Sequence, residues 1–389
     1  MKKKIAILGS TGSIGLQTIN IFKKDKKNFD FLALSTFSNV DKIFEQAKDL
    51  KVKNLIINDI NKFNLVKLKN KNNNLNIFNS FDDLEKIINK KRIYYSMVSV
   101  SGLDGLKPTI ILSKYTNNLA IVNKESLICG WDLIKKNLKK YKSNFIPIDS
   151  EHYSIHSIVK GHNNSEIEKI YITASGGPFL NYPKNKFKFI KPKNALNHPN
   201  WKMGKKISID SATLMNKVFE VIEARNIFDI SYDKISILTH RKSYLHAIVK
   251  FKSGFAQFLV HEPDMKIPIR NSIYNNMSTN YAKSKSLNFD IINNLDLKKV
   301  NSIKFPTIKL LNNLPRYNSL FETVLLTIND YFVNKFLLNQ INFDQLINSI
   351  IKISNLSIFQ KYKKIKPKNV NEIYKLRDYV SLKIKNLGI

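Results

Sequence analysis

Cysteine is almost missing from the chain, with Cys129 alone among 389 residues. That excludes a disulfide framework, a cysteine-rich zinc centre and an iron–sulfur cluster, and makes a reducing compartment the default. Long apolar runs are missing as well: no stretch approaches the roughly 18 residues of a membrane helix. Met1–Lys4 followed by Ile5–Leu8 imitates the start of a signal peptide, but Gly9-Ser10-Thr11-Gly12-Ser13 is too polar and glycine-rich to continue one. A soluble, cytoplasmic protein is expected. Acidic residues are scarce, with Asp+Glu 30 against Lys+Arg 64 and a net charge of +34. Such a balance points to nucleic acid or an acidic membrane only where the charge is clustered. Here lysines are spread along the whole length among Asn and Ile, as on solvated faces. Neither partner is therefore expected.

What is present suffices for packed cores: hydrophobic residues make up 43% and aromatics 11%. At about 150 residues per domain the length suggests two or three domains. Short apolar runs at Ile5–Leu8, Phe31–Leu34, Asn54–Ile57, Tyr94–Val100, Leu119–Val122 and Phe145–Ile148 alternate with helical patterns such as Val40–Leu50 and Asp82–Ile88. This alternation predicts an α/β architecture: a Rossmann-like, doubly wound parallel sheet over residues 1–148. From Ile170 the runs at Ile170–Thr173, Ile235–Thr239, His246–Phe251 and Gly254–Val260 suggest an α+β domain over 149–274, with an antiparallel sheet and one helix from about Ser211 to Phe228. Asn271–Ser286 is rich in Asn and Ser and reads as connecting chain, within a linker over 275–302. Residues 303–389 then follow helical patterns to the end. Asn70–Asn74 is a low-complexity surface loop.

Gly9-Ser-Thr-Gly12-Ser-Ile-Gly15 follows the first strand and opens a helix. Glycines there permit a tight turn and close approach of the backbone to a pyrophosphate, which the helix N-terminus favours electrostatically. An ordinary strand–helix turn is the plain alternative. NAD enzymes place Asp or Glu at the end of the second strand, whereas this strand ends Leu34-Ser35-Thr36-Phe37-Ser38-Asn39, without a carboxylate. NADPH is favoured, although no Arg or Lys stands there to receive its extra phosphate.

Asp149-Ser150-Glu151-His152 follows an apolar strand, where ligands gather in parallel sheets. In extended chain Asp149 and Glu151 share a face and could grip one cation; two solvated loop acids are the plain alternative. Farther on, Asn216 and Glu220 are four apart on one helix, with Lys217 beside them and Ser211 near the start as a possible N-cap. A surface Lys217–Glu220 salt bridge would explain that pattern too. If Glu220 joins Asp149 and Glu151, the all-oxygen set suits Mg²⁺ or Mn²⁺. Between the groups, Ser175-Gly176-Gly177 and Gly204 bracket a polar stretch containing Trp201 and Met203, which reads as a mobile lid over about 175–206; a docked loop filling a surface groove is the plain alternative.

In order along the chain, GSTGSIG at 9–15, NKESL at 123–127, DSEH at 149–152, SGGPF at 175–179, HPNWKMG at 198–204, KISIDSATLMNK at 206–217, IEAR at 222–225 and EPDM at 262–265 resemble the 1-deoxy-D-xylulose 5-phosphate reductoisomerase family. The resemblance implies NADPH-dependent rearrangement and reduction of that sugar phosphate to 2-C-methyl-D-erythritol 4-phosphate, in non-mevalonate isoprenoid precursor synthesis. It implies Asp149, Glu151 and Glu220 as ligands of one divalent cation. It implies Thr11, Gly12, Ser13, Ile14, Asn39, Asn123, Glu125 and Gly204 as NADPH contacts. Lys124, Ser150, Glu151, Ser175, His198, Ser211, Asn216, Lys217 and Glu220 match its substrate contacts, with Ser175, Ser211, Asn216 and Lys217 on the phosphate. Of these, Asp149, Glu151, Glu220, Lys124 and His198 are the expected catalytic set, and a homodimer is implied. Phe37-Ser38 replaces the family's Gly-Lys, His240-Arg241-Lys242-Ser243 replaces its His-Pro-Gln-Ser, and Asn329-Asp330 is the nearest echo of a C-terminal Asn-Glu. Two other readings compete: another NADPH- and metal-dependent oxidoreductase of related fold, and a basic nucleic-acid-binding protein. Chelation and substrate tests separate the first, and a steep salt dependence of nucleic-acid affinity would mark the second.

Overall fold

The computed structural model describes residues 2–69, 75–274 and 286–388. The low-complexity loop at 70–74 and positions 275–285 of the expected connecting segment lie outside the described residues. The chain divides into two compact units. The first takes the described parts of residues 1–126, 132–153 and 264–281; the second takes 127–131, 154–263 and 282–389.

Seven parallel strands form the sheet of the first unit: β1 (Lys3–Leu8), β2 (Phe29–Thr36), β3 (Asn54–Ile57), β4 (Asn76–Phe78), β5 (Ile93–Val98), β6 (Thr116–Ile121) and β7 (Asn144–Pro147). Their order is β4-β3-β2-β1-β5-β6-β7, so the winding reverses beside β1, where ligands bind in doubly wound sheets. Every expected strand is present within a few residues. β4 has only three residues, too short to show a period, and the sequence did not reveal it. Helix α1 (Ser13–Lys23) and helix α2 (Val40–Leu50) cover the sheet, burying Phe22, Ile43 and Ala47 against Ile5, Phe31, Leu34 and Tyr95. Helix 266–274 adds Ile269 and Ile273 to this core, and Ser272 bonds the buried Tyr95 hydroxyl at 2.8 Å.

The second unit has a five-stranded sheet of β8 (Ile167–Ala174), β9 (Ile235–Thr239), β10 (Leu245–Phe251), β11 (Ala256–Val260) and β12 (Lys298–Lys299), ordered β11-β10-β8-β9-β12. The sheet is mixed rather than antiparallel throughout, because β8 and β9 run parallel. Sixty residues of loop and helix separate them, from 175 to 234, long enough for a crossover that re-enters from the same end.

The helix expected from about Ser211 to Phe228 is two. Helix α3 (Ser150–Val159) precedes β8, while helix α4 (Lys205–Ala212) and helix α5 (Met215–Phe228) meet at Leu214, whose φ of 60° is left-handed. Val221, Ala224 and Phe228 of α5 pack on Ile170 and Ile172 of the sheet. The C-terminal part is helical as expected, led by helix α6 (Leu320–Leu337), where Ser319 and Glu322 form a capping box. Among the described residues no helix is long and apolar enough to cross a membrane.

Candidate active site

In the first unit the glycine loop is built for close approach. Gly9 has φ +78°, and a Cβ there would lie 2.5 Å from the Ser99 carbonyl oxygen; a Cβ on Gly15 would lie 2.2 Å from that of Gly9. The Gly9 N–H donates to Ser35 Oγ at 2.8 Å, and the Thr11 and Thr36 hydroxyls bond at 2.7 Å, so the loop is tied to the end of β2. Gly12 occupies the N-cap of α1 without a side chain, and no acid stands in the first turn to take up the positive end of the helix. Asn39, expected at the cofactor, caps α2 by accepting from the Lys42 N–H at 3.2 Å. Phe37 projects, 69% exposed.

Asn123 is committed to its own loop. Its amide donates to the Val100 and Gly102 carbonyls at 2.7 and 2.8 Å and to Glu125 at 3.0 Å, while its oxygen accepts from the Ser126 N–H at 2.8 Å. What the next residue, Lys124, reaches is the carboxylate of Asp149, at 2.5 Å.

Asp149 and Glu151 do not share the face of an extended strand. The strand stops at Pro147 and α3 begins at Ser150, since Ser-Glu-His-Tyr-Ser-Ile-His lacks any helix breaker. Asp149 accepts from the N–H groups of Glu151 and His152 at 3.3 and 3.5 Å, at the start of that helix. Glu151 lies in the first turn, where Ser150 Oγ donates to it at 2.6 Å. His152 Nδ1, on a fully buried ring, is 3.0 Å from Asp149 Oδ1. Spacing along the sequence gave His152 no role; the helical i,i+3 relation to Asp149 was the missed signal.

The second unit gathers Ser175, His198, Ser211, Asn216, Lys217 and Glu220. Gly176 and Gly177 have φ of +79° and +66°, and a Cβ on Gly177 would lie 2.9 Å from the Ser211 carbonyl oxygen. This close approach sets the loop after β8 against the last turn of α4. Ser211 is therefore no N-cap; it lies one residue before the end of α4. The turn at Leu214 then starts α5 with Asn216 and Lys217. Asn216 donates to Glu220 Oε1, and Lys217 Nζ is 2.6 Å from Glu220 Oε2. The salt bridge is not on the surface, with side chains 8% and 1% exposed.

His198 Nδ1 accepts from the N–H groups of Asn200 and Trp201 at 3.1 and 3.0 Å, and Nε2 lies 3.0 Å from Ser175 Oγ. Desolvation, helped by the Lys217 cation, lowers the His198 pKa from 6.5 to about 4. A neutral ring that accepts at Nδ1 carries its hydrogen on Nε2 and donates to Ser175. Ser175 Oγ also accepts from the Gly177 N–H at 3.1 Å, which leaves its own hydrogen for a ligand.

The lid region is partly docked: Phe179, Phe187 and Ala195 are buried, and helix 192–196 interrupts it. Residues 197–204 carry neither helix nor strand. Within them Asn200 bonds the Arg241 carbonyl at 2.6 Å and Ser243 Oγ at 2.8 Å, and Trp201 meets His246 edge-on with centroids 6.4 Å apart. The altered segment 240–243 is thus the anchor of this loop.

Two family models match with descriptions naming 1-deoxy-D-xylulose 5-phosphate reductoisomerase, over residues 5–130 and, as its C-terminal domain, 145–228; a DXP reductoisomerase C-terminal domain model matches 260–380. The 1-deoxy-D-xylulose 5-phosphate reductoisomerase of Pelagibacter ubique (strain HTCC1062) is 53% identical over 388 residues, 100% of both chains. That of Clostridium kluyveri (strain NBRC 12016) is 37% identical over 348 residues, 88% of this chain and 89% of the relative. Among solved structures, the enzyme from Zymomonas mobilis in complex with NADPH superposes with a TM-score of 0.87 at 26% identity, over 100% of this chain and 99% of that one. A DOX-P reductoisomerase in complex with NADPH, fosmidomycin and magnesium gives 0.88 at 27%, covering 99% of each.

Proposed function

The chain belongs to the 1-deoxy-D-xylulose 5-phosphate reductoisomerase family, and from that premise we propose how its residues divide the work. The activity is NADPH-dependent conversion of 1-deoxy-D-xylulose 5-phosphate to 2-C-methyl-D-erythritol 4-phosphate with a divalent cation, a step toward isoprenoid precursors. The observation that carries the assignment of roles is the buried Lys217–Glu220 pair, flanked by Asn216 and a neutral His198. Buried ion pairs are weak stabilisers; one placed beside a serine with a free hydroxyl hydrogen is explained by a ligand.

In this reading Ser175, Ser211, Asn216 and Lys217 hold the substrate phosphate. Ser175 donates its hydroxyl hydrogen because His198 and the Gly177 N–H already occupy its oxygen. Lys217 supplies the cation, and Lys124 and Ser150 bind the sugar oxygens. The loop over 197–204, with Trp201, excludes water from the reacting centre.

Asp149, Glu151 and Glu220 are the ligands proposed for the divalent cation. The donor set fits: three carboxylates, oxygen-only and hard, with Lys124 and Lys217 paired to two of them. The glycine loop fits a dinucleotide equally well, since the side chains excluded at Gly9 and Gly15 leave backbone and an open helix end. Thr11, Gly12, Ser13 and Ile14 are placed on the pyrophosphate, with Asn39, Asn123, Glu125 and Gly204 along the rest of NADPH. Gly204 supports this, because its φ is ordinary and a Cβ there would meet nothing within 4 Å. When bound, the cation polarises the substrate ketone and acidifies the neighbouring hydroxyl, and NADPH supplies hydride to the rearranged aldehyde.

We also propose a homodimer through β11, the outermost strand of its sheet among the described residues, and a cytoplasmic location, in keeping with a cysteine content of one, Cys129, which is buried. The test of the roles is NADPH oxidation by purified protein given the pentulose phosphate and Mn²⁺ or Mg²⁺. Chelation should abolish it, and Glu220→Gln should lower kcat by at least about a hundredfold. Full turnover by Glu220→Gln would remove the proposed cation site.

A further inference from the structure

We propose that Asn329 is a positioning residue: through Asp210 it sets the last turn of α4, which presents Ser211 to the substrate phosphate. The proposal rests on the phosphate reading given above. Asn329 is wholly buried in the middle of α6, and its Nδ2 donates to Asp210 Oδ1 at 2.8 Å. Its carbonyl oxygen is buried with no hydrogen-bond partner among the described residues. A buried amide that leaves one of its two polar ends unmatched loses the hydration of that end without return, so general stability is a poor account of it. Its evident use is the single bond to Asp210.

Two further ties run to the same short segment. Lys206, one turn before Asp210 on α4, is 3.0 Å from Asp330 Oδ1 and 3.8 Å from Asp210 Oδ2. Thr307 Oγ1 donates to the Thr213 carbonyl at 2.6 Å, at the turn between α4 and α5. The C-terminal part of the chain therefore grips residues 206–213 at three points. Ser211 lies between the second and third grips, and the Gly177 loop that follows Ser175 packs on its carbonyl. A small rotation of α4 would displace Ser211 relative to the loop that carries Ser175, and anion affinity is sensitive to such displacements.

The test uses the full-length protein with NADPH and Mg²⁺. Asn329→Leu keeps the volume and removes the bond to Asp210. The double exchange Asp210→Asn/Asn329→Asp restores an amide–carboxylate pair with its direction reversed. The readouts are KM and kcat for the pentulose phosphate, inorganic phosphate affinity by calorimetry and the thermal midpoint, with Ser211→Ala as the control that marks the phosphate site. Asn329→Leu should raise KM and weaken phosphate about tenfold while kcat changes by less than about threefold, and the double exchange should recover most of that loss. A merely structural Asn329 gives the reverse: a lowered midpoint with KM and phosphate affinity intact, which would overturn the proposal. Failure of the double exchange to recover affinity, or phosphate binding untouched by Ser211→Ala, would overturn it as well. Phosphate affinity decides the coupling even if wild-type protein fails to turn over the sugar phosphate, so the two readings fail separately.

Discussion

Ser175 and His198 share one hydrogen bond, and the direction of that bond determines what the serine can offer a ligand. Because Nδ1 accepts two backbone N–H groups, protonating the ring would cost both of them as well as a buried charge near Lys217. The folded pKa, about 4, lies below the ordinary 6.5. The unfolded chain therefore takes up a proton that the native state refuses, and stability falls with acid. The contribution is complete above about pH 6.5 and is lost as pH falls toward 4. Thermal midpoints of wild type and His198→Gln should converge across that window; a constant difference would show that folding does not lower the pKa of this ring. Glu322 shows the opposite sign. Burial raises its carboxyl from 4.5 to about 8, against hydrogen bonds from Ser319 that favour the charged form. The native state keeps a proton that the unfolded chain releases, so folding is penalised progressively as pH rises from about 4.5 to 8. Glu322→Gln retains the capping box and should gain on the order of 2 kcal/mol at pH 8 and little at pH 4.5 by denaturant titration.

At the scale of elements, the break between α4 and α5 is the feature that organises the second unit, and the sequence hides it. Ser211-Ala-Thr-Leu-Met contains no glycine or proline, so the helical pattern reads straight through. Local hydrogen bonding decides instead: Thr213 Oγ1 bonds back to the Ile209 carbonyl at 3.1 Å and accepts from the Met215 N–H at 3.3 Å, offering the backbone an alternative to continued helix. Leu214 then adopts the left-handed region with its side chain buried, 1% exposed. Left-handed backbone costs a non-glycine residue about 1–2 kcal/mol, whereas emptying a buried leucine site costs about 2–5 kcal/mol. Burial wins, so Leu214→Gly should destabilise by roughly 2 kcal/mol despite relieving the backbone; a stabilised variant would show that strain dominates. By contrast, the parallel sheet was legible strand by strand, because buried strands are continuous apolar runs such as Ile5–Leu8 and Asn54–Ile57. Motif order carried most of the candidate residues, yet their local settings were not readable. Asp149 and Glu151 were set on a strand and belong to a helix start, and Asn39 and Asn123 turn out to be spent partly on caps and loop ties. Asp210 lies in a matched motif and Asn329 in a faint echo of one, but nothing in a linear pattern marks the bond between them, which joins positions 119 apart.

At the scale of the whole molecule, a net charge of +34 spread along the chain opposes casual association between copies. Any stable contact must therefore be specific and apolar. Sheet edges are the natural place for one, and three of the four edges among the described residues are blunted by shortness: β4 has three residues, β7 four and β12 two. β11 differs. It has five residues, its outer edge is unpaired among the described residues, and Phe255 just before it and Phe258 within it are 74% and 52% exposed. Two copies pairing β11 edges would satisfy a row of backbone groups and cover four phenylalanines, the kind of self-complementary patch that a twofold dimer requires. Phe258→Lys, a charge placed where edge strands resist pairing, should convert a particle of twice the 45.0 kDa chain mass into one of the chain mass by light scattering, while far-UV circular dichroism stays unchanged. Wild-type protein that is monomeric at micromolar concentration would sink the dimer outright. Dimer persisting in the lysine variant would move the contact to another surface, because an ammonium group on a paired edge strand cannot be buried there without a partner.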